Sequence, residues 1–148
     1  MVACRAATPT PSLPLVNTQA DIDAFLAGAP HAVVGASTDR TKYGNKVLRC
    51  YQQTARPVHV VHPREREIEG VSCVASIADL PAGVHGLSII TPPAVTEQVV
   101  QAALAKGIRH LWMQPGAESA KAIELARAAG LNVIAGGPCL LVVLRFRE

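Results

Sequence analysis

The chain has 148 residues, of which 49% are hydrophobic, 17% charged and only 3% aromatic, which predicts one domain with an aliphatic core and no companion catalytic domain. Its 14 Lys+Arg against 11 Asp+Glu leave a formal charge of +3, too weak for a nucleic-acid coat, and one Trp, two Tyr and two Phe are too few for a base-stacking surface. No stretch approaches the roughly 20 apolar residues that span a bilayer, and Cys4, Cys50, Cys73 and Cys139 form no C-x-x-C pair, which predicts reduced thiols in a soluble cytoplasmic protein.

Residues 1–16 carry Thr8-Pro9-Thr10-Pro11 and lack an apolar core, so they read as a flexible tail and not as a secretory signal. Asn17 and Thr18 offer caps for a helix over 20–26, and Gly28 ends it. Strands are then predicted over 32–34, 58–61, 87–90, 110–113 and 132–135, each short and rich in branched residues. Helical patterns lie between them at 43–53, 76–80, 95–106 and 119–129, the last two closed by Gly107 and Gly130. Residues 140–146 read as an edge strand or a tail. Short apolar strands alternating with helices imply a parallel sheet with right-handed crossovers. The expected fold over residues 17–148 is therefore α/β: a doubly wound, Rossmann-like sheet of about five strands in three layers.

Ligands of such sheets bind beyond the carboxyl ends of the strands. After the first strand, Gly35, Ala36, Ser37 and Thr38 lead through Arg40 and Lys42 to Tyr43 and Gly44. Small residues, hydroxyls and a helix N-terminus suit a phosphate or pyrophosphate, although an ordinary polar loop has the same composition. After the second strand, His62-Pro63-Arg64-Glu65-Arg66 lacks the carboxylate that would hold the ribose of NAD. Two arginines fit an extra ribose phosphate or, more plainly, a solvated charge run. Thr91-Pro92-Pro93 is a stiff strand end, either a wall for a flat ring or a connector with Pro93 in the first helical turn. Trp112-Met113-Gln114-Pro115-Gly116 and Gly136-Gly137-Pro138-Cys139 follow the last two strands.

From about His31 to Val143 these segments resemble the stand-alone CoA-binding proteins, whose domain is similar to the CoA-binding N-terminal domain of the succinyl-CoA synthetase alpha subunit. The resemblance is carried by Val33-Val34-Gly35-Ala36-Ser37, Val61-His62-Pro63, Ile68-Glu69-Gly70, Thr91-Pro92-Pro93, Leu111-Trp112-Met113-Gln114-Pro115-Gly116 and Gly130-Leu131-Asn132-Val133 with Cys139 following. It implies a coenzyme A laid across the carboxyl edge of the sheet. Gly35, Ala36, Ser37, Thr38, Lys42, Tyr43 and Gly44 would hold the phosphates. Val61, Pro63, Arg64 and Arg66 would face the adenosine and its 3′-phosphate, Thr91 and Pro92 the adenine, and Met113 and Gln114 the pantetheine arm, which ends near Cys139. The chain departs from the family in His62, where Asn is common, and in Pro138, where an Arg often precedes the cysteine.

Neither a metal cluster nor a catalytic triad is read from the sequence. The histidines are dispersed, His59 and His110 falling within strands. Asp79 and Glu118 have structural explanations at helix ends. Cys139 is the one candidate nucleophile, a small apolar filler being its plainer role; a mixed disulfide with bound CoA under oxidation is the chemistry it would carry. The expected function is binding of CoA or a short acyl-CoA without catalysis. The alternatives are an NADP-binding oxidoreductase domain and an accessory subunit of an acyl-CoA ligase. Neither nucleic acid nor membrane is an expected partner; a homo-oligomer or a ligase partner chain is.

Overall fold

The computed structural model describes residues 18–148, so the expected tail over 1–16 lies outside the described residues. Helix α1, Gln19–Ala27, opens on a reciprocal cap. Thr18 Oγ1 accepts from Asp21 N at 3.2 Å and Asp21 Oδ2 accepts from Thr18 N at 3.1 Å, so two otherwise unmet helix-end donors are satisfied together. The chain continues through β1 (His31–Val34), α2 (Tyr43–Gln53), β2 (Val58–Val61), β3 (Glu67–Ile68), β4 (Val71–Val74), a 3-10 turn (Ile77–Asp79) and β5 (Gly86–Ile89). It ends with α3 (Pro93–Lys106), β6 (His110–Met113), α4 (Ala120–Ala128), β7 (Asn132–Ile134) and α5 (Leu140–Val143).

The sheet order is β3-β4-β2-β1-β5-β6-β7, parallel throughout except for the β3–β4 pair. One face buries Leu87, Leu111, Val100 and Ala122 against α3 and α4. The other buries Val33, Val60, Trp112 and Ile134 under α1, α2 and α5. The doubly wound, three-layer arrangement is as expected, but the sheet has seven strands where about five were predicted. The two additional ones form a tight hairpin in which Glu69 (φ 50°) and Gly70 (φ 80°) make the turn. Glu67–Ile68 is too short for a period of two to show, and β4 alternates too weakly to announce itself. Residues 140–146 are corrected as well. Their branched residues suggested an edge strand, yet Leu140–Val143 is one turn of helix packed against α2.

Two fastenings set the frame of the site. The first lies at the amino end of the sheet, where carbonyls of α1 are taken up by side chains. His31 Nε2–H donates to Phe25 O at 2.7 Å, His85 Nε2–H to Ala24 O at 2.9 Å, Arg56 Nη1 to Leu26 O at 3.0 Å and Asn132 Nδ2 to Asp21 O at 3.0 Å. His31 is wholly buried between the rings of Phe25 and Tyr51, with centroids at 4.7 and 5.4 Å, and its Nδ1 meets no partner. The second fastening is at the other end. An added Cβ on Gly35 would stand 2.0 Å from Ile90 O, and one on Gly44 would stand 2.1 Å from Gly35 O. Bare backbone at these two positions lets α2 rest directly on the end of β1.

Each fastening has a measurable consequence. Burial, aided by the nearby His85, Arg56 and His110 and opposed by the bond to Phe25, holds the His31 pKa at about 4 against an ordinary 6.5. Stability from its neutral form is fully present above pH 6.5 and is lost as pH falls toward 4, about 2.5 kcal/mol of it by pH 4.5. Urea unfolding at pH 7.5 and 4.5 should show that loss in the native chain and a flatter dependence in His31→Phe; identical slopes would clear His31 as its source. Gly44→Ala should destabilise by about 3 kcal/mol, because rigid backbone faces the new methyl. A thermal midpoint within a degree of the native one would contradict that close approach.

Candidate functional site

The parallel strands all end at one edge, and strand order turns at β1 and β5: the crossover from β1 leads to β2 on one side, and that from β5 to β6 on the other. The β1–α2 loop runs over this switch point. It is shaped from within: Ser37 Oγ accepts from Asp39 N at 3.0 Å, and Asp39 Oδ1 accepts from Thr41 N and Thr41 Oγ1–H at 2.9 and 2.7 Å. The Thr41 hydroxyl and amide hold the Asp39 carboxyl below its ordinary range. Ala36 packs into the core, while Thr38 and Lys42 are exposed. Lys42 precedes α2 without a side-chain cap, and the first turn of α2 holds no acid, which leaves a helix N-terminus suited to an anion.

A buried polar stripe on α2 braces that loop from below. Asn45 Nδ2 donates to Ser37 O at 2.8 Å and to Glu69 Oε2 at 3.0 Å, while Arg49 donates to Asn45 Oδ1 at 2.6 Å and to Arg40 O at 2.8 Å. Arg40 closes the circuit on Glu69 Oε1 at 3.1 Å. Its ion pair makes Arg40 part of the bracing. Asn45 and Arg49 were not singled out, and Glu69 entered only within the resemblance segment Ile68-Glu69-Gly70. The signal was their spacing: Asn45 and Arg49 lie four apart on an otherwise apolar helix face, where an unpaired polar pair would be costly.

At the end of β2, His62 Nδ1 accepts from Arg64 N at 3.0 Å and Glu65 N at 2.9 Å. The imidazole thus fixes the turn that exposes Pro63, Arg64 and Arg66, as a short polar side chain does in an Asx turn. Val61 is packed in the core. Thr91 is half-buried, its hydroxyl 2.7 Å from that of Thr96, and Pro92 precedes α3 with Pro93 as the first helical residue. Pro92 is exposed, so the stiff connector and an open face for a ring coexist. Glu118, read as opening a helix, instead accepts from Gly116 N at 2.8 Å, and Ser119 caps α4.

The pantetheine-side residues divide. Met113 is wholly buried in the core, beside an equally buried Gln114. Gln114, Tyr43 and Cys139 are brought together from three separate elements. Tyr43 Oη donates to Gln114 Oε1 at 3.0 Å and lies 2.6 Å from Cys139 Sγ; Leu140 N donates to the same Gln114 oxygen at 2.9 Å. Gln114 is fully buried and its Nε2 has no partner. Burial, and then the Cys139 thiol, push the Tyr43 phenol well above its ordinary range. Trp112 Nε1 donates to Pro138 O at 3.0 Å and so holds the Cys139 segment to the core. An uncapped helix end, surface arginines and an unmet amide donor suit an anionic ligand that also bears a carbonyl.

Relatives share this framework. A conserved hypothetical protein of known structure from Pyrococcus furiosus is 37% identical with a TM-score of 0.73, over 76% of this chain and 97% of its own. The ADP-forming acetate-CoA ligase I of Archaeoglobus fulgidus is 28% identical over 74% of this chain, and the alpha subunit of the ADP-forming acetate-CoA ligase II of P. furiosus is 25% identical over 76%. The chain spans only 17% and 27% of the lengths of those two ligase proteins. The model of the CoA binding domain matches residues 30–145, and the chain belongs to that family.

Proposed function

We propose that the chain binds coenzyme A or a short acyl-CoA across the carboxyl edge of its sheet, as one domain over residues 17–148, in the cytoplasm and without catalytic turnover of its own. The observation that carries this reading is the uncapped N-terminus of α2 beside the Gly35-to-Lys42 loop at the strand-order switch. Its backbone N–H groups, with Lys42, receive the phosphates. Exposed Arg64 and Arg66 receive the 3′-phosphate, Thr91 and Pro92 face the adenine, and Gln114 and Cys139 meet the far end of the pantetheine arm. Val61 and Met113 support the site from the core. When bound, the ligand would supply a thiol or thioester; the chain itself supplies position and charge.

A second reading, an accessory part of an acyl-CoA ligase, is favoured by one observation: the matched ligase proteins carry much more chain than this domain. It keeps the same site and adds a partner chain. An NADP-binding domain is the rival that would use Arg64 and Arg66 otherwise.

Calorimetric titration with CoA, acetyl-CoA and NADP separates these. Binding of CoA or acetyl-CoA, with a rise in thermal midpoint by mass action, is expected; stabilisation by NADP alone would refute the reading. Arg64→Glu combined with Arg66→Glu should weaken CoA by about tenfold or more, equivalent to at least about 1.4 kcal/mol, and leave 3′-dephospho-CoA nearly unchanged. Equal losses for both ligands would remove the two arginines from the 3′-phosphate.

A further inference from the structure

We propose that His62 is a proton-sensitive positioning residue: its neutral imidazole holds the turn that aims Arg64 and Arg66 at the 3′-phosphate, and its protonation releases that turn and weakens CoA selectively against 3′-dephospho-CoA. This rests on the CoA reading above and adds the regulation of that same site.

The turn at the end of β2 is pinned at both ends by backbone bonds to β4. His62 N donates to Val74 O at 2.8 Å, and Arg66 O accepts from Cys73 N at 2.8 Å. Between these points Pro63 has no N–H to give, so the first amides available are those of Arg64 and Glu65. Both are directed to one atom, His62 Nδ1, at 3.0 and 2.9 Å. An N–H donor needs a lone pair opposite it, and an imidazole nitrogen carries either a lone pair or a proton. The two bonds therefore fix the tautomer: Nδ1 is bare, and the ring proton sits on Nε2. His62 is half-buried, whereas Pro63, Arg64 and Arg66 are exposed, so the brace is the less exposed part of a turn whose charges face solvent.

A proton on Nδ1 would set three N–H groups against one another where two hydrogen bonds stood. Histidine is the side chain that makes this change between about pH 5 and 8. An Asn in its place would offer Oδ1 at the same remove from the backbone and accept both bonds throughout that range, since an amide oxygen takes up no proton there. The charges around the imidazole pull both ways: Arg64 and Arg66 on the turn oppose a further positive charge, while Glu65 and, on β3, Glu67 favour it. Cys73 on β4 stays a thiol at neutral pH, pushed up by burial and then by Glu65 and Glu67. Arg40, from the β1–α2 loop, is paired with Glu69 at 3.1 Å. An imidazolium touching the phosphate would strengthen CoA binding in acid. A brace does the reverse, because the two arginines lose their common aim when the turn opens. The roles carry opposite signs, and the geometry selects the brace, since Nδ1 is already engaged by backbone.

The test measures the affinities of CoA and 3′-dephospho-CoA by calorimetry at pH 7.5 and 5.0 in the full native chain, His62→Asn and His62→Ala. The native chain and His62→Asn should match at pH 7.5. At pH 5.0 the native chain should bind CoA about tenfold more weakly than His62→Asn, for want of two backbone hydrogen bonds, while 3′-dephospho-CoA binds both alike. Comparing the two chains at one pH cancels the titration of the phosphate itself and of His31. His62→Ala should bind CoA about tenfold more weakly than the native chain already at pH 7.5. In the ligand-free native chain, the NMR amide signals of Arg64 and Glu65 should move with the His62 ring as pH falls, and stay in place in His62→Asn. Parallel CoA profiles in the native chain and His62→Asn, a native chain that gains on His62→Asn in acid, equal acid losses for both ligands, or native CoA affinity in His62→Ala would each overturn the inference. If no chain binds CoA at either pH, the underlying reading fails; amide signals that ignore the His62 ring defeat the brace alone, whether or not CoA binds.

Discussion

Everything at the carboxyl edge depends on one steric constraint: backbone meets backbone where β1 hands over to α2. Gly35 lies against Ile90 O and Gly44 against Gly35 O, at separations no Cβ tolerates. This contact sets the height at which α2 begins. Tyr43 is the first residue of that helix, and its hydroxyl reaches Gln114 just past β6 and Cys139 beyond β7. A helix displaced by a methyl group would carry the phenol away from both. The glycines therefore act on the distant thiol through geometry and touch none of it.

The polar cluster beneath the loop illustrates how a small domain makes a loop firm without burying it. Asn45, Arg49 and Glu69 belong to α2 and the β3–β4 turn, yet each hydrogen-bonds to the loop or to a residue that does. Charged groups out of water are costly unless each is paired and hydrogen-bonded, and here carboxylate, amide and guanidinium close on one another. The small hairpin absent from the sequence reading thus earns its place by supplying Glu69. The amino end is held differently, by imidazole, guanidinium and amide donors directed to α1 carbonyls.

Much of this was legible in sequence because it rests on local pattern. Strands β1, β2, β5, β6 and β7 are short branched runs between glycine-ended helices, and α2 was placed over the residues it occupies. The positions of Tyr43, Gln114 and Cys139 were legible only through the family resemblance; their mutual contacts were not, since they are separated by up to 96 residues and no periodicity links them. Leu140–Val143 misled because four apolar residues fit either a strand or one helical turn, and only the docking of Leu140 against Gln114 and α2 decides between them.

The segment that presents Cys139 has one more property. Its far end is clamped twice, by Trp112 at Pro138 O and by Gln114 at Leu140 N. Gly136 needs its glycine, at φ 81°, but Gly137 does not share that positive φ, and a Cβ built there meets nothing within 4 Å. A single substitution there would hang a group over the rim, two residues from the sulfur, without moving the sulfur itself. The chemistry of this rim is thereby separable from the core that holds the thiol, and one position could vary while the rest of the domain stayed as it is.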